Sequence, residues 1–478
     1  MRLAAAFAVL SLVATSACAA APMAPPAQIA GKPRVETVVT RDGDLWTVDY
    51  AFDRDVPAWA FFQSALLRET RQPWRPAWWS VQTPGVVLDR QGDRDVLHTL
   101  DGSPVPRTVR IVMRPQPGDL EAEYDPALIF TDGAVALYSG QFDVIPMPSV
   151  AAARALPVDL NGVDVPGGPS VVTWRDRAGP VLFKGQRVAA PTAEDAKTYV
   201  LFGEAAVKGG RGVTTVIDPG LPHWLGDELA QFTPRVMDFY AQRVGPHGGD
   251  QPTLMVSWTG PTQHLSSMGG SVLPGLISMN FEGEGVLGPD KAALDRAHWF
   301  IGHESAHFWM GSNGLEYEFA RDAWITEGGA DLMAVRAIAA IDPTYDARAE
   351  LQTEVDDCVR LAAGQPVATA YQRGDHRAYY ACGAVWGLVI EAAQRARMGG
   401  DYFDVVRGFK DGPVGADGKL TRDEWLTQLT RLSGDPTLAI DIARMLDDGV
   451  ANPSAVLARL FERSGVAYRL DAGRVVLN

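Results

Sequence analysis

His303-Glu304-Ser305-Ala306-His307 places two histidines four residues apart, with a glutamate directly after the first. On a helix, residues four apart stack on one face, so this spacing lets both imidazoles aim at one point. Neutral imidazole nitrogen is a good zinc ligand, and two of them make half of a tetrahedral site. Glu304 falls beside that point, where a carboxylate can take a proton from a water activated by the metal. Histidines on a solvated helix face meet the same spacing, but Glu327 and Asp331 weigh against that reading. Glu327 follows His307 by 20 positions, room for a turn and a second helix that returns a third ligand. Asp331 lies one helical turn further on the same face. One carboxylate of the pair can then bind metal while the other accepts the free N–H of a metal-bound histidine. Gly328 and Gly329 each weaken a helix interior by roughly 1 kcal/mol relative to alanine. Their presence predicts close packing of this helix against the one that carries the histidines.

Together with Trp324-Ile325-Thr326-Glu327-Gly328, the pattern resembles the gluzincin clan of zinc metallopeptidases, in which a W-x-x-E-G motif supplies the third ligand. Two branches are similar: the glycyl-aminopeptidase-like family and the larger family that includes membrane alanyl aminopeptidase and leukotriene hydrolase. The resemblance implies one zinc per chain on His303, His307 and Glu327, Glu304 as general base, and a peptide substrate. In both branches a tyrosine in a Y-x-K-G-A-like motif on a later helix stabilises the tetrahedral intermediate. Tyr380-Ala381-Cys382-Gly383-Ala384 matches, with Tyr380 in the catalytic place and Cys382 where lysine is usual. His376, one turn before Tyr380, is the second candidate for that task. The aminopeptidases also carry a G-x-M-E-N or G-G-L-E-H motif whose glutamate grips the substrate's free amine. Here Met268-Gly269-Gly270-Ser271-Val272 has no glutamate in that place, and Glu282 and Glu284 come only after the strand.

The elements that must position these groups divide into two kinds. From Val35 to about Gly203 the pattern is β. Trp46, Val48, Tyr50 and Phe52 alternate with polar or small residues, the period of a half-buried strand, and Asp42-Gly43 marks the turn from a partner at Val35–Thr40. Further strand-like runs are Arg107–Met113, Ala134–Phe142, Ser170–Trp174, Val181–Lys184 and Thr198–Phe202. Trp74, Trp78 and Trp79 read as core and hairpin packing, with a carbohydrate or peptide platform as the alternative. After Asp218-Pro219 the period turns helical, and Leu225, Leu229, Phe232, Val236 and Phe239 form one stripe. A strand at Thr253–Trp258 and a second run from Ser271 to Phe281 precede the histidine helix, which Asp290 can cap. His298 lies about 140° round that helix from His303 and is not read as a ligand. The rest reads mostly helical: Tyr345–Leu361, His376–Arg397 and Asp423–Leu432, the last behind the capping box of Thr421 and Glu424. A half-match to a calcium loop around Asp417-Gly418 is rejected, because Pro413 and Gly415 stand where its first acids belong.

The expected fold is therefore multidomain, β followed by α+β. A β-sandwich-like domain (34–205) precedes a thermolysin-like catalytic domain (206–400) and a C-terminal helical region (401–478). Met1-Arg2 and the apolar run Leu3 to Val13 form a secretory leader (1–21), followed by a Pro/Ala-rich linker (22–33). Cleavage after Ala19 or Ala21 would release the protein, and a weak lipobox ending at Cys18 would anchor it to a membrane instead. The expected location is periplasmic or secreted. Loss of Cys18 with the leader leaves Cys358 and Cys382, either a disulfide or two small buried residues. A net charge of −15 without a basic cluster excludes nucleic acid as an expected partner. An exported aminopeptidase-like zinc peptidase is the leading reading. The alternatives are a hydrolase of the same fold that ignores the free amine, and a non-catalytic periplasmic binding protein.

Overall fold

The computed structural model of the protein describes residues 34–478 apart from 122, 159, 161–162, 211, 250, 265–266, 312–313 and 413–417. The leader, the linker, Cys18 and the rejected calcium loop at 413–417 lie outside the described residues. The N-terminal part is rich in sheet. The strands Val35–Asp42 and Leu45–Phe52 form the expected hairpin, and Gly43 takes the left-handed conformation its turn needs. This pair sits inside a six-stranded sheet, where Val35–Asp42 also runs parallel to Val171–Asp176. The alternating apolar residues Trp46, Val48, Tyr50 and Phe52 point inward and share one core with a four-stranded and a five-stranded sheet. Trp74 and Trp79 are buried in that core, with the fully enclosed Arg75 guanidinium stacked on the Trp74 ring, so this cluster is packing and not a platform. The run expected at Ala134–Phe142 is strand only over Val135–Tyr138. A 3₁₀ turn follows at Ser139–Phe142.

A further apolar cluster joins this part to the next. Leu128, Ala136 and Leu201 of the five-stranded sheet pack with Val216, Met255 and Leu276 of a second five-stranded sheet. In that sheet Thr214–Ile217, Thr253–Gly260 and Leu276–Glu282 run parallel, and the helix His223–Val244 makes the crossover between the first two. The single strand expected from Ser271 to Phe281 is instead a hairpin of Ser267–Leu273 and Leu276–Glu282. Pro274-Gly275 causes the break: proline cannot continue the ladder and Gly275 turns the chain with φ 73°. Ser267–Leu273 thereby becomes the sheet edge next to the histidine helix.

Helices build the rest. The histidine helix spans Lys291–Ala306, and the Asp290 carboxylate caps it by accepting from Ala293 N. The crossover helix fixes its far end, since the Tyr240 hydroxyl donates to the Gly302 carbonyl at 2.9 Å. The glutamate helix spans Trp324–Ile341 and is buried on nearly every face. The tyrosine helix spans Arg377–Met398. Leu420 precedes the capped helix Arg422–Ser433, where Thr421 and Glu424 form the reciprocal pair read from the sequence. The C-terminal region is not wholly helical. Tyr468–Asp471 and Arg474–Leu477 form a final hairpin whose Val475 and Leu477 join the helical core. Among the described residues, no helix is long and apolar enough to cross a membrane.

Glycines set the spacing of the three site-bearing helices, though not as the sequence suggested. Gly328 faces the tyrosine helix instead of the histidine helix. A methyl group there would overlap the backbone of Gly383 and Ala384, and one on Gly383 would overlap the Trp324 carbonyl. Gly329 faces the Met310 methyl and the Tyr402 hydroxyl. The histidine helix instead approaches the glutamate helix through Gly302, against Ala334 and Ile338. Because the obstacle at Gly328 is backbone, the helices must separate to admit a side chain. Gly328→Ala is expected to destabilise the protein by roughly 1–3 kcal/mol. Gly408→Ala, on an exposed helical turn with open space around it, should stabilise it by roughly 0.5–1 kcal/mol. Thermal unfolding of both variants checks the contrast, and equal behaviour would contradict the glycine-on-glycine crossing.

Candidate metal centre

Among the described residues, His303, His307 and Glu327 form the one group of three or more such side chains placed to hold a metal ion. Two elements assemble it. The histidine helix presents His303 in its last turn and ends at His307, and the glutamate helix carries Glu327 in its first turn. A carboxylate there also gains from the positive end of the helix dipole. The His303 and His307 Nε2 atoms lie 3.0 Å apart, and each is 3.4 Å from Glu327 Oε2. Metal–ligand bonds of about 2.0–2.1 Å at tetrahedral angles separate ligand atoms by roughly 3.3–3.4 Å. The triangle is therefore close to one face of a tetrahedral site, with the histidine–histidine edge the shorter one.

The proton inventory supports the same fit. His307 Nδ1 lies 2.8 Å from the Met310 carbonyl, which can only accept, so Nδ1 carries the proton. His303 Nδ1 donates to Asp331 Oδ1 at 2.7 Å. In the neutral rings both Nε2 atoms then present lone pairs to each other at 3.0 Å, which is repulsive unless a cation lies between them. The local field favours one. Burial opposes positive charge on His303, yet Asp331, Glu327 and Glu304 together raise its proton affinity well above the ordinary histidine value. His307 shifts the same way, with Glu327 the main opponent of burial. Burial would raise the Glu327 pKa, but the two histidines pull it far below the usual carboxylate range.

Glu304 is buried beside this triangle and outside it. Burial, then the charges of Glu327 and Asp331, raise its pKa against the pull of the two histidines. The Tyr380 ring stacks on His303 with centroids 5.5 Å apart, close enough to Glu327 for its hydroxyl to feel that carboxylate's charge. The Glu327 charge and then burial keep that phenol protonated, so it remains a donor. Asp331, fully buried one turn beyond Glu327, supports His303 as its spacing suggested. The sulfurs of Cys358 and Cys382 are bonded, with Cα atoms 4.7 Å apart, and this ties the tyrosine helix to the helix Ala347–Leu361.

Other candidates fall away from the triangle. His298 donates or accepts at Glu228, 2.8 Å away, and stacks on Phe232. His376 is exposed at the start of the tyrosine helix, edge-on to Tyr371. Glu282, at the end of Leu276–Glu282, bonds to Thr262, and Glu284, just after it, bonds to His264, so both carboxylates are engaged. Two nearby residues carried no sequence expectation. Tyr124 reaches from the sheet-rich part to the Val272 carbonyl on the edge strand, and burial with the charges of Glu304 and Glu327 pushes its pKa up to about 12. No local signal could have found it. Arg377 binds the second oxygen of Asp331 at 3.3 Å. A cation three residues before Tyr380, at the head of the apolar run 378–390, was its available signal.

No family model matches the chain, and no curated protein matches it. Solved structures do. The chain is similar to the aminopeptidase N family protein of Idiomarina loihiensis at a TM-score of 0.61 and 12% identity, over 89% of this chain and 78% of that one. An M1 zinc metallopeptidase of Deinococcus radiodurans, solved with a Tyr-Ser-Ala substrate, aligns over 88% of this chain and 94% of its own at 14% identity and a TM-score of 0.44. The leukotriene A4 hydrolase of Saccharomyces cerevisiae aligns over 85% of this chain and 66% of its own at 12% identity and a TM-score of 0.48. At the TM-score of the first match, this chain has the fold of an aminopeptidase N family protein.

Proposed function

We propose that the protein is an exported, zinc-dependent peptidase of aminopeptidase-like type, holding one zinc per chain on His303, His307 and Glu327. The observation that carries this reading is the ligand triangle of 3.0, 3.4 and 3.4 Å, with the unliganded Glu304 buried beside it. Zinc bound there supplies a Lewis acid that polarises a carbonyl and makes water acidic near neutral pH. Glu304 takes the proton of the attacking water and returns it to the leaving amine. Tyr380 donates its hydroxyl proton in a hydrogen bond to the developing oxyanion. Asp331 holds the His303 ring with Nε2 toward the metal. Among the described residues, Ser267–Leu273 pairs with a strand on one side only, and this supports pairing of its other side with an extended peptide. The fold shared with an aminopeptidase N family protein supports the same reading.

A second reading keeps the metal chemistry and drops the free amine. Met268 to Met279 contains no acid, and the next carboxylates, Glu282 and Glu284, are engaged with Thr262 and His264. A peptide-library digest with the purified zinc form, read by mass spectrometry, locates the cut bonds. No cleavage of any peptide by a zinc-loaded chain would remove the peptidase assignment. If a free amine is recognised, its ammonium must meet a carboxylate on leaving water. N-acetylating a cleaved peptide should then lower kcat/KM at least about tenfold, the worth of a charge contact of roughly 1.4 kcal/mol. Equal cleavage of acetylated and free peptides would favour the second reading.

A further inference from the structure

We propose that Arg377 is a positioning residue for the metal centre, acting on His303 through Asp331. The proposal rests on the metal site described above and goes beyond the ligands, base and tyrosine assigned there. The Arg377 guanidinium is shared among three carboxylates from two neighbouring helices. Its Nη1 donates to Asp331 Oδ2 at 3.3 Å, Nη2 to Glu354 Oε1 at 2.6 Å and Nε to Asp357 Oδ2 at 3.1 Å. Asp331 and Glu354 are almost wholly enclosed, with side-chain exposures of 0% and 1%. Asp331 is thus a bridge, with one oxygen on the imidazole of His303 and the other on Arg377.

The geometry gives this bridge a purpose that a surface ion pair would lack. A lone aspartate on the glutamate helix could rotate about its side-chain bonds and carry the imidazole with it. The guanidinium is a rigid planar fork, so donors fixed on Glu354 and Asp357 leave the third donor in a set direction. Glu354 and Asp357 lie on the helix Ala347–Leu361, whose Cys358 is bonded to Cys382. The turn 377–382 of the tyrosine helix is therefore tied to that helix at both ends, by ions at Arg377 and by sulfur at Cys382. Tyr380 sits between the ties, with its ring on His303. A single residue, Arg377, refers the glutamate helix, the brace helix and the tyrosine helix to one imidazole of the histidine helix. Burial, and then the charge of Asp331, push the Glu354 pKa up, and Arg377 opposes that rise.

Arg377→Lys tests the role, because it keeps the charge and removes the fork. Zinc affinity of the full chain is read by chelator competition, which does not depend on activity. The variant is expected to bind zinc about tenfold more weakly, the lower end for loss of a partner behind a ligand. Its kcat for a peptide cut by the unmodified protein should fall about tenfold with KM within about twofold. In an Asp331→Asn background the same substitution should weaken zinc binding no more than about twofold further, since both changes break one chain of contacts. Unchanged zinc affinity in folded Arg377→Lys, or fully additive losses with Asp331→Asn, would overturn the proposal. If Arg377→Lys does not fold, the charge-balanced pair Arg377→Gln with Glu354→Gln takes its place in the same measurements, with the same expected and overturning results. A chain that binds zinc tightly but cuts no peptide defeats the peptidase assignment alone, because the affinity measurements still decide Arg377. An unmodified chain that takes up no zinc overturns both.

Discussion

Glu304→Gln is expected to lower kcat by about 10²–10⁴ while the zinc content of the protein stays at one per chain. The substitution keeps the size of the side chain and removes only its capacity to take a proton. Glu304 is outside the ligand triangle, so nothing that holds the metal is lost. Its burial, followed by the charges of Glu327 and Asp331, raises its proton affinity, which suits a group that must accept a proton from water and release it again. A 10³-fold loss corresponds to about 4 kcal/mol of transition-state stabilisation. His303→Ala provides the contrast. It removes one corner of a triangle that is already close to a tetrahedral face, and it leaves Asp331 buried without its imidazole partner. That variant should lose zinc as well as activity. Elemental analysis alongside peptide hydrolysis separates the two outcomes. Substantial turnover by Glu304→Gln would exclude Glu304 as the base, and full zinc retention by His303→Ala would exclude the ligand set.

Tyr380→Phe is expected to lower kcat by about 10²–10³ with a small change in KM. The ring can remain stacked on His303, because phenylalanine preserves the aromatic face that lies 5.5 Å from the imidazole. What disappears is the hydroxyl, which the charge of Glu327 and burial keep protonated and therefore able to donate. The hydroxyl lies in the field of Glu327 and would donate to the substrate oxygen as negative charge develops there. Such a contact forms fully only in the transition state, so its loss belongs in kcat and not in binding. Steady-state kinetics of the purified variant with zinc restored provides the measurement. A rise in KM with kcat unchanged would make Tyr380 a substrate-binding residue and leave the oxyanion without its assigned donor.

Local spacing determined much of this molecule. Helical periodicity puts His303 and His307 on one face whatever surrounds them, and it puts Asp331 one turn from Glu327. The Asp290 cap, the reciprocal Thr421 and Glu424 pair, and the hairpin through Gly43 are likewise contacts between residues a few positions apart. Where local signals were weak or mixed, the reading strayed. Pro274-Gly275 broke an expected strand, and the chain end returned to a hairpin because Val475 and Leu477 find a helical core to cover.

Tertiary structure decided what the helices face. Gly328 signalled a close approach, but nothing nearby in sequence says that Gly383, 55 residues on, is the partner. The Cys358–Cys382 bond depended on two helices meeting with their Cα atoms 4.7 Å apart, which residue counts do not specify. Tyr124 reaches the edge strand from the chain before Ala127–Ile129, and Arg377 reaches Asp331 from 46 positions away. The physical reason is the same for each. Periodicity and capping are energies of neighbouring residues, whereas burial, charge pairing and close helix crossing depend on which distant surfaces leave water together. The sequence alone could therefore nominate His303, His307, Glu327, Glu304 and Asp331, while Tyr124, Arg377 and the Gly328–Gly383 crossing emerged only from the packed fold.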